Sequence, residues 1–135
     1  VSASPQAALH YADVVVTSIN LDFSIKPFLD ARWLKKNAFA AITDACIPWI
    51  PEGMEAFNTV IVDDLTQEAE SEKPMLPYEQ ITDDLKGLVA GKVSEQSLGT
   101  PSAFAFRGIA LGDYAAAVLA VQRAESARVG QRITP

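Results

Sequence analysis

The sequence predicts an α/β domain: three parallel strands joined by βαβ connections, followed by a long apolar C-terminal helix. Three observations predict it. The stretches ADVVVTS (12–18), AFAAIT (38–43) and TVIVDD (59–64) are short apolar runs without alternation, the pattern of strands buried on both faces of a parallel sheet. They are spaced roughly one helix apart, as parallel neighbours require. The run SAFAFRGIALGDYAAAVLAVQRAESAR (102–128) is helical in composition and apolar nearly all round, which implies a buried helix or one in a subunit interface. The middle strand organises the rest. It breaks into Asp44, Cys46, Pro48 and Pro51, so regular pairing stops near Thr43 or Asp44. A carboxylate at the end of a buried strand lies where open α/β sheets bind ligands, in the crevice beyond the carboxyl ends of the strands.

Along the chain, Ser4 and Pro5 mark the cap and first position of a short helix that ends near Tyr11. The first strand leads into a polar loop, SINLDFSIKP. Asp30 caps a turn or two of helix with Lys35 and Lys36 at its negative end, and Asn37 is a left-handed stop before the middle strand. EGMEAF (52–57) is another brief helix before the third strand. The tract 67–79 is acidic and carries Pro74 and Pro77, which suits an exposed loop. TDDLKGLVAGK (82–92) is a helix capped by Thr82 and ended by Gly91, and 94–101 is turn-rich. No internal repeat or low-complexity tract interrupts this order.

Bulk composition narrows the function classes. The chain has 135 residues, 49% of them apolar, enough for one domain with a real core. Eleven basic against seventeen acidic residues give a net charge of −6 with no Lys/Arg cluster, which argues against nucleic acid and anionic membrane as partners. A single cysteine forms no internal disulfide, and no apolar run approaches the roughly 20 residues a membrane helix needs. With no signal-peptide pattern at the start, a cytoplasmic location is the expectation. The chain opens mid-pattern without Met, as a piece of a longer polypeptide would.

Asp44 is the first candidate for chemistry. Bracketed by Ile42, Cys46, Ile47 and Trp49, it is expected to be partly desolvated, which raises a carboxyl pKa and suits proton transfer. The alternative is a carboxylate that caps backbone amides in the turn. Thr17, Ser18 and Asn20 at the end of the first strand offer hydroxyl and amide groups to a flat ligand, or form an ordinary polar loop. Asp63 and Asp64 end the third strand, but neither histidine nor further acid falls at ligand spacing, so a metal is set aside. His10 reads as a surface or packing histidine, and Cys46 as a small buried hydrophobe without an activating base. Asp113 and Arg107 are each expected to find an oppositely charged or hydrogen-bonding partner. Glycines at 53, 87, 91, 99, 108, 112 and 130 include no G-x-G-x-x-G, so a phosphate-cradling turn is missing.

Three segments in order, AALHYADVVVTS, TVIVDDLTQEAE and ITDDLKGLVAGK followed by RGIALGDYAAAVLA, resemble the ornithine cyclodeaminase/μ-crystallin family. The resemblance covers nearly all of this chain but only the C-terminal half or less of a family member. It implies the second half of a Rossmann-type sheet. Residues 1–100 would form a partial NAD(P)-binding domain lacking the glycine-rich turn. Residues 101–135 would be a helix and tail that pack on the sheet or on a dimerisation domain. Family members are NAD(P)-dependent enzymes of amino and imino acids, among them cyclodeaminases, alanine dehydrogenases and ketimine or pyrroline-carboxylate reductases.

By that resemblance Asp44 matches the aspartate that cyclodeaminases use in proton transfer. Thr17 matches the first residue of a Thr-x-Thr pattern beside the cofactor, with Ile19 in place of the second. Thr17, Ser18 and Thr43 would then line the nicotinamide side of the crevice. The family's Phe-Lys-Ser-x-Gly becomes FAFRG, keeping Phe104 and Gly108 but replacing the polar pair by Ala105 and Phe106. Its Cys/Ala-Pro-Gly-Lys becomes ACIPWIP, without the lysine, while Gly108, Ala110, Asp113, Ala115, Ala116 and Ala117 keep the downstream pattern. The resemblance thus implies NAD or NADP as cofactor, a small amino or imino acid as substrate, hydride transfer at the carbon bearing nitrogen, and a homodimer. The other reading is a non-catalytic small-ligand-binding protein like μ-crystallin, which the apolar Ile19 and Phe106 favour.

Overall fold

The computed structural model describes residues 2–93, 100–131 and 133. Most of the turn-rich stretch expected over 94–101 therefore lies outside the described residues. Helix α1 (Pro5–His10) begins as its sequence dictates, with Ser4 Oγ accepting the Ala7 N–H at 3.1 Å and Pro5 in the first turn. Strand β1 (Val14–Thr17) follows. Asp30 caps a single 3-10 turn, Ala31–Trp33, and Asn37 takes the left-handed φ of 63° that releases the chain into β2 (Phe39–Ile42). A second 3-10 segment, Pro51–Ala56, precedes β3 (Thr59–Val62).

Helix α2 (Leu65–Ala69), capped by Asp64, occupies the start of the tract expected as loop. A two-residue strand β4 (Asp83–Asp84) then leads straight into α3 (Leu85–Val89). Here the expected cap is corrected: Asp84 caps α3 by accepting the Gly87 N–H at 2.9 Å, and Thr82 Oγ1 instead accepts the Val60 N–H at 3.0 Å. Gly91, at φ +70°, does end that helical region.

Among the described residues the strands form one sheet in the order β1-β2-β5-β3-β4, every pairing parallel. The three expected strands are present and parallel, but β2 and β3 do not touch. Strand β5 (Ser102–Ala105) lies between them. The single long helix expected over 102–128 is thereby corrected to a strand, a break at Gly108 with φ +116°, and helix α4 (Ala110–Ala127). The SAFA sequence alternates, and the small Ala103 and Ala105 point into the core, where a central strand needs to pack closely.

One face of the sheet builds the core. Val15, Ala40, Ile42, Val60, Val62, Ala103 and Ala105 pack with Leu9, Leu29, Trp49, Met54, Phe57 and Leu76. Each fully buried Ile or Val contributes roughly 1.5–3 kcal/mol relative to exposure. Burial on both faces holds for β3 but not for β1 or β2: Val14 and Val16 are 62% and 67% exposed, and Phe39 is also exposed. That side is open at β1 and only partly covered at β2, so apolar content alone overstated their burial. Helix α4 likewise buries none of its residues in this chain. No described helix is long and apolar enough to cross a membrane.

Candidate functional site

The register of β1 on β2 sets Thr17 beside Ile42, so Thr43 and Asp44 lie just beyond the paired ladder at its carboxyl end. Thr43 extends the ladder by donating both its N–H (3.0 Å) and its hydroxyl (2.8 Å) to the Thr17 carbonyl. The chain then reverses: the Ile47 N–H donates to the Asp44 carbonyl at 3.1 Å, across Ala45 and Cys46 at φ 53° and 59°. Left-handed backbone costs an L-residue about 1–2 kcal/mol. Two such residues in succession persist only where their surroundings over-determine the turn, as they tend to at functional sites.

Asp44 supplies part of that determination. Its side chain has no exposed surface. Oδ1 accepts the Thr17 hydroxyl at 3.1 Å, and Oδ2 accepts the Ile19 N–H at 3.3 Å. Burial pushes the carboxyl above its ordinary value, opposed by the Thr17 hydroxyl and the Ile19 N–H, which stabilise the charged form. The amide that the carboxylate accepts is not one of its own turn, as one sequence reading held, but that of Ile19, two residues past β1. The carboxylate is also desolvated, as the other reading held. Two residues on, burial foremost and then the Asp44 charge push the Cys46 thiol up to about 12, so it stays neutral.

The structure brings together Thr17, Ile19, Thr43 and Asp44, with Ser18 exposed beside them. Thr17 is itself buried, and its hydroxyl is engaged within the chain: it donates to Asp44 and accepts the Trp49 indole N–H at 3.3 Å. The sequence marks Trp49 only as an apolar neighbour of Asp44 and does not foretell its hydrogen bond to Thr17. Gly108 stands at the same edge of the sheet but belongs to another cluster. Its N–H donates to Asp63 Oδ2 at 2.6 Å, and its carbonyl accepts from Gln67. A cleft of about 440 Å³ opens beyond β3, with Asp63, Asp64, Lys86, Ile109 and Leu111 in its walls; Asp44 is not among them.

The Asp63–Asp64 pair is divided between two structural duties. Asp63 receives the Arg107 and Gly108 N–H groups, while Asp64 caps α2 and pairs with Lys86 at 2.8 Å. Among the described residues no group of side chains could hold a metal ion. Arg107 finds the expected acid in Glu68, donating Nε at 3.0 Å and Nη2 at 2.8 Å, and Glu68 is buried. Asp113 is exposed in the first turn of α4, where a carboxylate meets the positive end of the helix and needs no buried partner. His10 is exposed and stacks edge-on with Tyr11.

No protein-family model and no curated protein matches the chain. Solved structures do. A Δ1-pyrroline-2-carboxylate reductase from Thermococcus litoralis, in complex with NADH and L-proline, superposes with a TM-score of 0.74 at 15% identity over 96% of this chain and 43% of that one. A probable ornithine cyclodeaminase from Bordetella pertussis gives 0.67 at 21% identity, over 90% of this chain and 43% of that one. An archaeal alanine dehydrogenase dimer with bound NAD gives 0.68 at 21% identity, over 90% and 41%. All three are proteins of the ornithine cyclodeaminase/μ-crystallin family. At these identities the likeness establishes the fold, and this chain spans less than half the length of each.

Proposed function

From the fold it shares with part of the ornithine cyclodeaminase/μ-crystallin proteins, we propose that this chain is the second half of a cofactor-binding domain in an NAD(P)-dependent oxidoreductase or cyclodeaminase of small amino or imino acids. The observation that carries the reading is Asp44: a buried carboxyl with a raised pKa, just beyond β2 and held by the Thr17 hydroxyl and the Ile19 N–H at the end of β1. That is the crevice edge where open parallel sheets take their ligands. The solved relatives bound to NADH with L-proline and to NAD support the cofactor and the substrate class. The dimeric alanine dehydrogenase supports a homodimer.

The residues fit one end of such a cofactor. Ser18 and Thr43 are exposed at the carboxyl edge beside Ile19 and offer a flat ring polar and apolar contacts, with Gly108 at the end of the adjoining β5. The chain offers no glycine-rich turn for a pyrophosphate. When bound, the nicotinamide supplies or accepts hydride at the carbon bearing nitrogen. Asp44 then holds the proton that the substrate nitrogen gains or loses, while Thr17 and Ile19 hold its carboxyl plane. The cytoplasm is the location that goes with this role. Titrating NADH or NADPH into the 135-residue chain tests the half-site: the reading expects no saturation at micromolar cofactor, because pyrophosphate contacts are missing. Micromolar binding contradicts it.

Two observations favour a second reading, a small-ligand-binding protein without turnover: Asp44 is sealed from solvent and the Thr17 hydroxyl is engaged inside the chain. The family resemblance adds that Ile19 and Phe106 replace polar residues. Ligand binding that survives Asp44→Asn, with no imine reduction by either form, identifies that case.

A further inference from the structure

We propose that Trp49 is a positioning residue for Asp44, acting through Thr17: the indole N–H donates to Thr17 Oγ1 and turns the hydroxyl's single proton onto the carboxylate. The contacts are 3.3 Å from Trp49 Nε1 to Thr17 Oγ1 and 3.1 Å from Thr17 Oγ1 to Asp44 Oδ1, and all three residues are buried. A hydroxyl has one proton and two lone pairs, whereas an indole N–H only donates. Trp49 therefore occupies a lone pair and leaves the proton for an acceptor, which Asp44 supplies.

The indole is held in place to do this. Its ring packs edge-on against Phe57 with centroids 5.6 Å apart. Its backbone N–H donates to the Cys46 carbonyl at 3.0 Å, and its segment is bracketed by the Leu29–Pro48 and Ile50–Leu29 hydrogen bonds, both within 2.8 Å. A donor on Oγ1 also polarises the O–H, which strengthens its bond to a carboxylate. The ionisable neighbour on the Asp44 turn is Cys46, whose thiol is neutral; Glu68 and Arg107, whose fields reach that thiol, are paired with each other. The inference rests on Asp44 being the proton-holding group of the proposed function, and it adds what orients that group.

The test is a pH titration of the Asp44 carboxyl in the 135-residue chain by ¹³C NMR, assigned with Asp44→Asn. Thr17→Val is expected to raise the midpoint and Thr17→Ser to restore it. Replacing Trp49 by 3-benzothienylalanine, in a Trp33→Phe background, swaps the N–H for sulfur at nearly unchanged volume. It is expected to raise the midpoint in the same direction by roughly half a pH unit. Trp49→Phe gives the same comparison should the analogue fold poorly. A midpoint that moves with Thr17→Val but not with either Trp49 replacement overturns the proposal, leaving Trp49 a packing residue. So does a midpoint that no variant moves. These shifts are read without turnover. A chain in which they occur but whose parent reduces no imine keeps the positioning role and loses the enzymatic reading.

Discussion

Asp63, at the end of β3, accepts the Gly108 N–H at 2.6 Å and so ties that strand to the exit of β5, its neighbour in the sheet. The same oxygen accepts the Arg107 N–H at 3.1 Å. Both donors leave the ladder here, at the residues where the chain turns from strand into helix α4. Asp63→Ala is expected to lower unfolding free energy by about 2–4 kcal/mol, because two part-buried N–H groups lose their acceptor. Asp113→Ala, at an exposed position, is expected to stay within about 0.5 kcal/mol. Urea unfolding of both variants checks the contrast.

The Arg107–Glu68 pair is largely withdrawn from water on the carboxylate side. Glu68 also accepts the Met75 N–H, and Arg107 donates to the Lys73 carbonyl at 2.8 Å, so the pair fastens the 70–76 segment to the sheet edge. Arg107→Ala strands a buried charge and is expected to cost about 3–5 kcal/mol. The Arg107→Ala/Glu68→Gln double variant is expected to be less destabilised than the sum of the single changes, which a double-mutant cycle measures.

Acid sensitivity should come from two opposing sets of carboxyls. The Arg32 guanidinium lowers Asp30, the Lys86 ammonium lowers Asp64, and the Gly87 N–H foremost lowers Asp84. Their stabilising contribution is present above about pH 4 and is lost as pH falls below it, since the unfolded chain binds their protons more readily. Asp44 has the opposite sign. Its raised folded value means the native state holds the proton longer, so its contribution is present in acid and fades as pH rises from about 4 through that value. The stability of the native chain relative to Asp44→Asn is therefore expected to decline over that rise. Denaturant midpoints of both proteins across pH 4–8 provide the measurement.

Much of the sheet was legible because its cause is local. VVV, FAAI and TVIV are apolar and β-branched enough to read as strands wherever they stand, and Asp44 followed by prolines marks an end to pairing. Strand β5 was not legible, since its place between β2 and β3 is set by pairing partners far away in sequence, while its alanines read locally as helix. The open face of β1 was missed for a related reason: an apolar run states what a strand can bury, and what covers it depends on the other layers. Within the site, the Asp44–Thr17 contact spans 27 residues and followed from two strand ends lying side by side. Trp49 carried no such signal, because its hydrogen bond across 32 residues depends on the course of the Pro-flanked loop. Glu68 was concealed by its acidic neighbours. The requirement that Arg107 find an acid was readable, but not which acid would meet it.

The most direct test of the account is imine reduction by the longer protein proposed to contain this chain. NAD(P)H oxidation would be followed with a cyclic imino acid, the wild type beside Asp44→Asn. With Asp44 holding the transferred proton, the wild type turns over and the variant loses about 10²-fold or more in kcat at retained ligand affinity. Turnover that Asp44→Asn leaves unchanged contradicts that role, and ligand binding without turnover in either form contradicts the enzyme itself.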